Sequence, residues 1–380
     1  MTYENIKVNS VPSITWNWLK SNNDTVSVKA DFTIKNADIK ALPNGVTISN
    51  QKAPDSIPQI QSGTFNRSNP KVKDNRKPDG SIAEKREYQK LTDGKHPLIE
   101  LMDQVDPNGQ YITIEGKLDQ PLILNYDFQN SSISRQVIHA KAGSQSTVIF
   151  IYTGDADTSL FQTKVYAEAN SSINIVKVQL LGKSTLQLDD TGITTDDSAK
   201  TLFTLIELGG QHIDSGLHVN LNGRESQFNA NVAYICKDKQ YLDMNHTVYH
   251  YGKKTVCDMQ VHGTIKDDAS KVYRGTLDFK NGCRGANGNE FEETLILSPT
   301  TMNKSFPIIL CDEDDIQGEH GSTIGKLGSD LLFYMQTRGI CKEAAEKIMA
   351  RARVQAVMDT IPDEETKALI NSYLDKNEEE

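Results

Sequence analysis

Between Tyr111 and Pro307, apolar and polar residues alternate in short runs, each broken after a few positions by Gly, Asn, Ser or Asp. The runs Tyr111–Ile114, Leu122–Leu124, Thr147–Tyr152, Ile173–Leu180, Leu217–Leu221, Val256–Ile265 and Thr294–Leu297 combine this period of two with β-branched residues, which predicts strands. Two stretches align with each other at an offset of 27 (167 − 140): His139-Ala140-Lys141-Ala142-Gly143-Ser144 over Tyr166-Ala167-Glu168-Ala169-Asn170-Ser171, each leading into an apolar strand. A strand–turn unit of that length suits the coils of a parallel β-helix, in which each rung buries its inner face against its neighbours. An antiparallel sandwich is the competing arrangement.

The flanks follow a helical period. Ser13-Ile14-Thr15-Trp16-Asn17-Trp18-Leu19-Lys20 predicts a short helix capped by Ser13, and His96–Met102 another with Pro97 at its first position. Near the end, Ser329 is expected to cap Asp330–Met335, with Gly339 as the stop. A second helix would carry Ala345, Ile348, Met349, Ala352 and Ala356 on one stripe, and a third Leu369, Ile370, Tyr373 and Leu374. From Gln51 to Asp93, Pro54, Pro58, Pro70 and Pro78 mix with Lys71, Lys73, Arg76 and Lys77, and apolar periodicity fades, which reads as a flexible insertion. The chain thus divides into an N-terminal region, 1–95, containing the insertion 51–93; a parallel β-helix core, 96–325; and a C-terminal helical domain, 326–380.

Composition narrows the function. The 380 residues carry 41 Lys and Arg against 51 Asp and Glu, a net charge of -10, which argues against a general nucleic-acid or anionic-membrane binder. No run approaches the roughly 20 apolar residues of a membrane span. Met1–Lys7 has no basic-then-apolar leader pattern, so a cytoplasmic location is expected. The five cysteines, Cys236, Cys257, Cys283, Cys311 and Cys341, form no C-x-x-C pair and read as free thiols.

Several motifs fail on spacing. Gly321-Ser322-Thr323-Ile324-Gly325-Lys326 is one residue short of a P-loop, and Leu327 stands where the magnesium ligand belongs. Gly282, Gly285 and Gly288 have the wrong spacing for a dinucleotide fingerprint. His246 and His250 lie on a strand, roughly 13 Å apart at about 3.3 Å per residue, and read as an outward-facing ladder. The acidic runs Asp189-Asp190, Asp196-Asp197 and Asp312–Asp315 read as solvated turns. On a β-helix they also raise the alternative of a carbohydrate-active enzyme, a lyase or glycosidase.

The most specific signal lies between Ser270 and Gly339. Ser270-Lys271-Val272-Tyr273-Arg274-Gly275-Thr276-Leu277 and Glu293-Thr294-Leu295-Ile296-Leu297-Ser298 are similar to strands in the last coils of the SufB/SufD family, and Pro307 begins the next. Asp314-Asp315-Ile316-Gln317-Gly318-Glu319-His320-Gly321-Ser322-Thr323-Ile324-Gly325 resembles the D-type signature of that family, and Leu332–Ile340 the Leu-Phe-Tyr-x-x-Ser-Arg-Gly-Ile that follows it. The resemblance implies a right-handed parallel β-helix between helical ends. It implies a non-enzymatic scaffold of iron–sulfur cluster assembly, paired with a SufB-like subunit, docking SufC-like ATPases and served by a cysteine desulfurase. A homodimer is the alternative assembly in the absence of partners. SufB-type members carry a cysteine where this chain has Glu292 and a Glu where it has Gly321; both departures, with the short chain, favour the D-type. Gly318 also replaces a cysteine found in many D-type members. The isolated chain is therefore expected to bind no cluster, sharing a transient one with its partner through His320, with Glu319 second. Phe333, Tyr334, Arg338 and Tyr373 are the expected partner-binding residues.

Overall fold

The computed structural model describes residues 2–12, 19–29, 31–66 and 95–379. An antiparallel hairpin of β1 (Thr2–Val8) and β2 (Asp24–Lys29) comes first, followed by β3 (Thr33–Ile34), β4 (Val46–Ser49) and helix α1 (Pro97–Val105). Strands then follow one another: β5 (Gln110–Ile114), β6 (Leu122–Phe128), β7 (Ser132–Ala140), β8 (Gln145–Gly154), β9 (Thr158–Ala167), β10 (Ser172–Gln179), β11 (Leu186–Thr195) and β12 (Lys200–Glu207). The series continues with β13 (His212–Leu221), β14 (Gln227–Cys236), β15 (Tyr241–His250), β16 (Val256–Ile265), β17 (Ser270–Phe279), β18 (Ala286–Ile296), β19 (Met302–Cys311) and β20 (Ile316–Gly325). Helices α2 (Ser329–Thr337), α3 (Lys342–Met358) and α4 (Glu364–Glu379) end the chain.

From β5 onward each strand pairs in parallel with the strand two later, so odd and even strands separate into two sheets. That is a parallel β-helix, and the sandwich is excluded. The internal repeat marks its rungs: His139 lies beside Tyr166, and Ala140 beside Ala167. The coil offset ranges from 26 residues (Leu186 beside His212) to 32 (Ser270 beside Met302), the turns absorbing the difference.

One corner explains the recurring turn residues. Gly143, Asn170, Ser198, Glu225, Lys254 and Gly285 all sit at positive φ, between 56° and 76°, in the turns that lead into the even strands. Each donates its N–H to a carbonyl one coil further on, Asn170 to Asp197 and Lys254 to Arg284 for example, at 2.7 to 3.0 Å. The stacked hydrogen bonds offset the left-handed penalty at the four non-glycine positions.

Three apolar clusters follow from this topology. The inner faces of the coils form the main core, with Phe150, Phe161, Phe203, Val232 and Leu277 among its members. On the outer face of the even sheet, Ile149, Val176, Val178 and Ile206 are covered by Val354, Val357, Met358, Ile370 and Leu374 of α3 and α4. On the outer face of the odd sheet, Ile133, Leu160 and Leu188 lie under Val8, Val26, Phe65, Leu98 and Met102.

The structure corrects several local expectations. The stretch read as a flexible insertion, 51–93, is packed at the end of its described part. Thr64 and Phe65 are buried; Thr64 N–H donates to Asp190 Oδ1 at 2.9 Å, and Lys164 Nζ donates to the Gln61 carbonyl at 2.8 Å. Gly63 runs so close to Gly216 that a Cβ on either would strike the other's backbone at 2.2 to 2.4 Å. The helix expected over Ser13–Lys20 falls mainly on residues 13–18, outside the described residues. Gly328, not Ser329, is the N-cap of α2, and the positive φ of Gly339 ends the turn as expected. Helix α3 buries Ala345, Ala350, Val354, Val357 and Met358, leaving Ile348 exposed. Its buried stripe is rotated because burying Val and Met gains more than burying Ala352 and Ala356.

Candidate functional site

The final coil is where the chain opens outward. Among the described residues, strands β19 and β20 each pair on one side only, so the end of the β-helix presents unpaired backbone groups and the exposed apolar side chains of Met302 and Ile324. Within β18 the even-numbered residues from Ala286 to Thr294 are buried. Parallel register places Gly318 beside Gly288, His320 beside Glu290 and Ser322 beside Glu292. A Cβ at Gly318 would meet core residue Phe279, whereas one at Gly321 would meet Phe291 on the opposite face. By alternation along a strand, His320 lies on the inner face of the open coil, one rung above Glu290. Glu319 lies on the outer face, beside Asn289.

This revises the expected geometry. His320 belongs to strand β20, and its sequence neighbour Glu319, expected to act beside it, faces away from it. The carboxylate on the imidazole's own face is Glu290. Both His320 and Glu319 are exposed.

Under His320 lies a buried polar network that the motif search missed. Lys271 Nζ and Ser305 Oγ donate to the two oxygens of Glu292. Thr294 Oγ1 donates to Glu292 Oε1 at 3.1 Å and lies 2.9 Å from the Tyr234 hydroxyl. The Lys271 ammonium sits 5.9 Å and 5.7 Å from the ring centres of Tyr234 and Tyr273. Burial lowers the Lys271 pKa below the usual lysine value, opposed by the Glu292 charge. Burial, reinforced by the Glu292 charge, pushes the Glu290 carboxyl up to about 7. The available sequence signal was a pair of glutamates two apart on one face of a strand, with a lysine on the preceding strand, which the fold places in the opposite sheet.

Buried thiols offer little ligand chemistry here. Burial pushes Cys236 up to about 12 and Cys283 up to about 11, far from the thiolate form. Cys311 and Cys341 are exposed.

The other histidines and acids differ from expectation. His246 and His250 are buried: His250 stacks on Phe279 with ring centres 4.5 Å apart, and His246 meets Tyr273 edge-on. Burial depresses their pKa values to about 4 for His246 and about 3 for His250. Asp189 and Asp190 are buried in mid-strand, not solvated. Asp189 pairs with Lys177 at 2.6 Å and Asp190 with Lys164 at 2.9 Å, so both carboxylates are already ion-paired.

The expected docking residues divide. Phe333 is 69% exposed and Tyr334 56% exposed on α2. The Arg338 guanidinium lies 5.3 Å from the centre of the Tyr334 ring. Tyr373 is set apart: it packs with α3 and α4 on the even sheet and donates its hydroxyl to the Leu181 carbonyl at 3.4 Å. It also borders a cleft of about 430 Å³ lined by Lys237, Lys347 and Arg351.

Comparison with known proteins agrees with this architecture. A family model described as "SUF system FeS cluster assembly, SufBD core domain" matches residues 123–353. The chain is 27% identical over 157 residues to the iron–sulfur cluster assembly protein SufD of Bacillus subtilis, which spans 41% of this chain and 36% of that protein. It is 21% identical over 243 residues to SufD of Escherichia coli, 63% of this chain and 57% of that one. A chloroplastic SufBD family protein of Arabidopsis thaliana is 25% identical over 173 residues, 46% of this chain and 31% of that protein. The aligned regions thus cover less than two thirds of each relative. Among the described residues no helix is long and apolar enough to cross a membrane.

Proposed function

Because this chain belongs to the SufBD core family of the SUF system for iron–sulfur cluster assembly, we propose that it is a D-type, non-enzymatic scaffold subunit of such a system, acting in the cytosol. Its open last coil would pair with a SufB-like subunit, and the exposed aromatic face of α2 would receive a SufC-like ATPase. Sulfur would reach the complex from a cysteine desulfurase, and the nascent cluster is cargo held at the subunit interface.

The observation that carries this reading is the chemistry of Glu292. At the position where SufB-type resemblance calls for a cysteine, this chain has a carboxylate that Lys271 and Ser305 already engage. The chain therefore brings no thiolate to that point. What it offers at the exposed end of the open coil is the His320 imidazole, a good ligand for iron. The isolated chain would carry no cluster of its own.

The test is His320→Ala, co-expressed with the SufB-like and ATPase partners. The side chain is exposed, so the variant should fold and assemble normally yet fail to support maturation of iron–sulfur enzymes. Normal maturation by a stable mutant complex would refute the ligand role. Weakened assembly would mean that His320 shapes the interface instead.

A further inference from the structure

Far from the open end, three ligand-type side chains converge where the N-terminal hairpin meets the β-helix. Asp24 begins β2, while His212 and Asp214 lie two apart on β13 and share one face by strand alternation. One ligand atom from each falls within 4.8 Å of the others. His212 Nε2 is 2.8 Å from Asp24 Oδ2 and 3.2 Å from Asp214 Oδ2. Ligands bound at about 2.1 Å to one ion lie about 3.0 to 3.4 Å apart in octahedral or tetrahedral geometry.

Hydrogen bonding within the group does not close. Neutral His212 has at most one Nε2 proton, and two carboxylate oxygens face it. Asp214 is fully buried and, among the described residues, its Oδ2 makes no hydrogen bond. Leaving a buried carboxylate oxygen in that state is unfavourable, so an oxygen aimed at a shared point is an observation in its own right. The neighbouring charges do not relieve it. Asp243, beside Asp214, is matched by Arg274, which leaves Asp24 and Asp214 facing one imidazole.

The surrounding groups resemble an outer shell. Asn9 Nδ2 donates to Asp214 Oδ1 at 3.4 Å and to Asp243 Oδ1 at 2.9 Å, and the Tyr241 hydroxyl lies 3.5 Å from Asp24 Oδ1. The side chains of His212 and Asp24 keep 30% and 17% exposure, leaving an approach from solvent.

From this geometry we propose that Asp24, His212 and Asp214 bind one divalent transition-metal ion, of the class that mixed imidazole and carboxylate ligands select, such as Zn2+ or Co2+. The ion would pin the hairpin to the β-helix through residues 188 apart in sequence. This site is independent of the cluster-assembly reading and contains no residue of the last coil.

The experiment uses the full chain, stripped with EDTA, desalted and titrated with Zn2+ by calorimetry and with Co2+ by visible absorption. Wild type should take up about one equivalent and melt at higher temperature. Asp24→Asn and His212→Gln should each weaken binding at least roughly tenfold. Cys311→Ser/Cys341→Ser should bind as wild type does. If His212→Gln fails to fold, the near-isosteric Asp24→Asn decides alone. The proposal is overturned if wild type shows neither saturable uptake nor a melting shift, or if Asp24→Asn binds both ions unchanged. Loss of binding only in the cysteine variant would equally overturn it, assigning the metal to surface thiols.

Discussion

The Lys271 ammonium and the Glu292 carboxylate form an ion pair in which neither side chain is exposed, in the last coils of the β-helix. Two charges withdrawn from water this completely are favourable only as a pair with their remaining hydrogen bonds made. Ser305 and Thr294 make those bonds on the carboxylate side.

Removing one partner should therefore cost more than removing both. Glu292→Ala is expected to lose about 3–5 kcal/mol of stability, while Lys271→Met/Glu292→Leu should recover most of that loss. Denaturant unfolding of the three chains measures it. A double variant as unstable as the single one would show that the pair itself holds the coils together.

Glu207 gives the fold a pH dependence. Burial, with the Asp189 charge adding to it against the Ser215 hydrogen bond, pushes this carboxyl up to about 8 from 4.5. The folded state then holds its proton more tightly than the unfolded chain. The resulting stability is complete below pH 4.5 and is lost as pH rises toward 8. Glu207→Gln should remove that slope and leave the variant more stable than wild type at the alkaline end, by on the order of 3 kcal/mol. Unfolding midpoints measured across the window would show parallel curves if the expectation is wrong.

Gly216 is required by a close approach. Its missing Cβ leaves space for the Thr64 N–H, which would otherwise lie 2.2 Å from it, and for Gly63. Gly216→Ala should displace the 61–66 segment, lose its contacts with Asp190 and Lys164, and cost about 1–3 kcal/mol. Limited proteolysis should detect new cleavage near Gly63. An unchanged digestion pattern would mean that the strand yields instead.

The aromatic face of α2 gives a test of partner docking that avoids the fold. Deleting α3 and α4 would uncover Ile149, Val176, Val178 and Ile206, so truncation is a poor probe. Phe333→Ala/Tyr334→Ala alters only exposed rings. It should leave the melting temperature unchanged and weaken capture of the ATPase by roughly thirtyfold, about 2 kcal/mol. Undiminished capture would move the docking surface elsewhere, with the cleft beside Tyr373 the next place to probe.

The sequence alone determined short strands and a repeat of rung length, because a strand's period of two and the return of a rung are written in consecutive residues; the parallel pairing that excludes a sandwich is seen only in the structure. His139 over Tyr166 was legible for that reason, as was most of the expected face of α4: Ile370 and Leu374 are buried and Tyr373 partly so, while Leu369 is exposed. Tertiary structure decided which polar residues are interior. Lys177, Asp189, Lys271 and Glu292 look like ordinary charges in their own segments, and each is made tolerable by a partner on another strand. Asp190 is closed off by Thr64, 126 residues away in sequence, in a stretch whose composition resembles a loose insertion. His320 was found by motif, yet its inward direction and its neighbour Glu290 come from register across one coil. Local periodicity fixes which face a side chain takes; what covers that face is fixed only when distant chain segments meet.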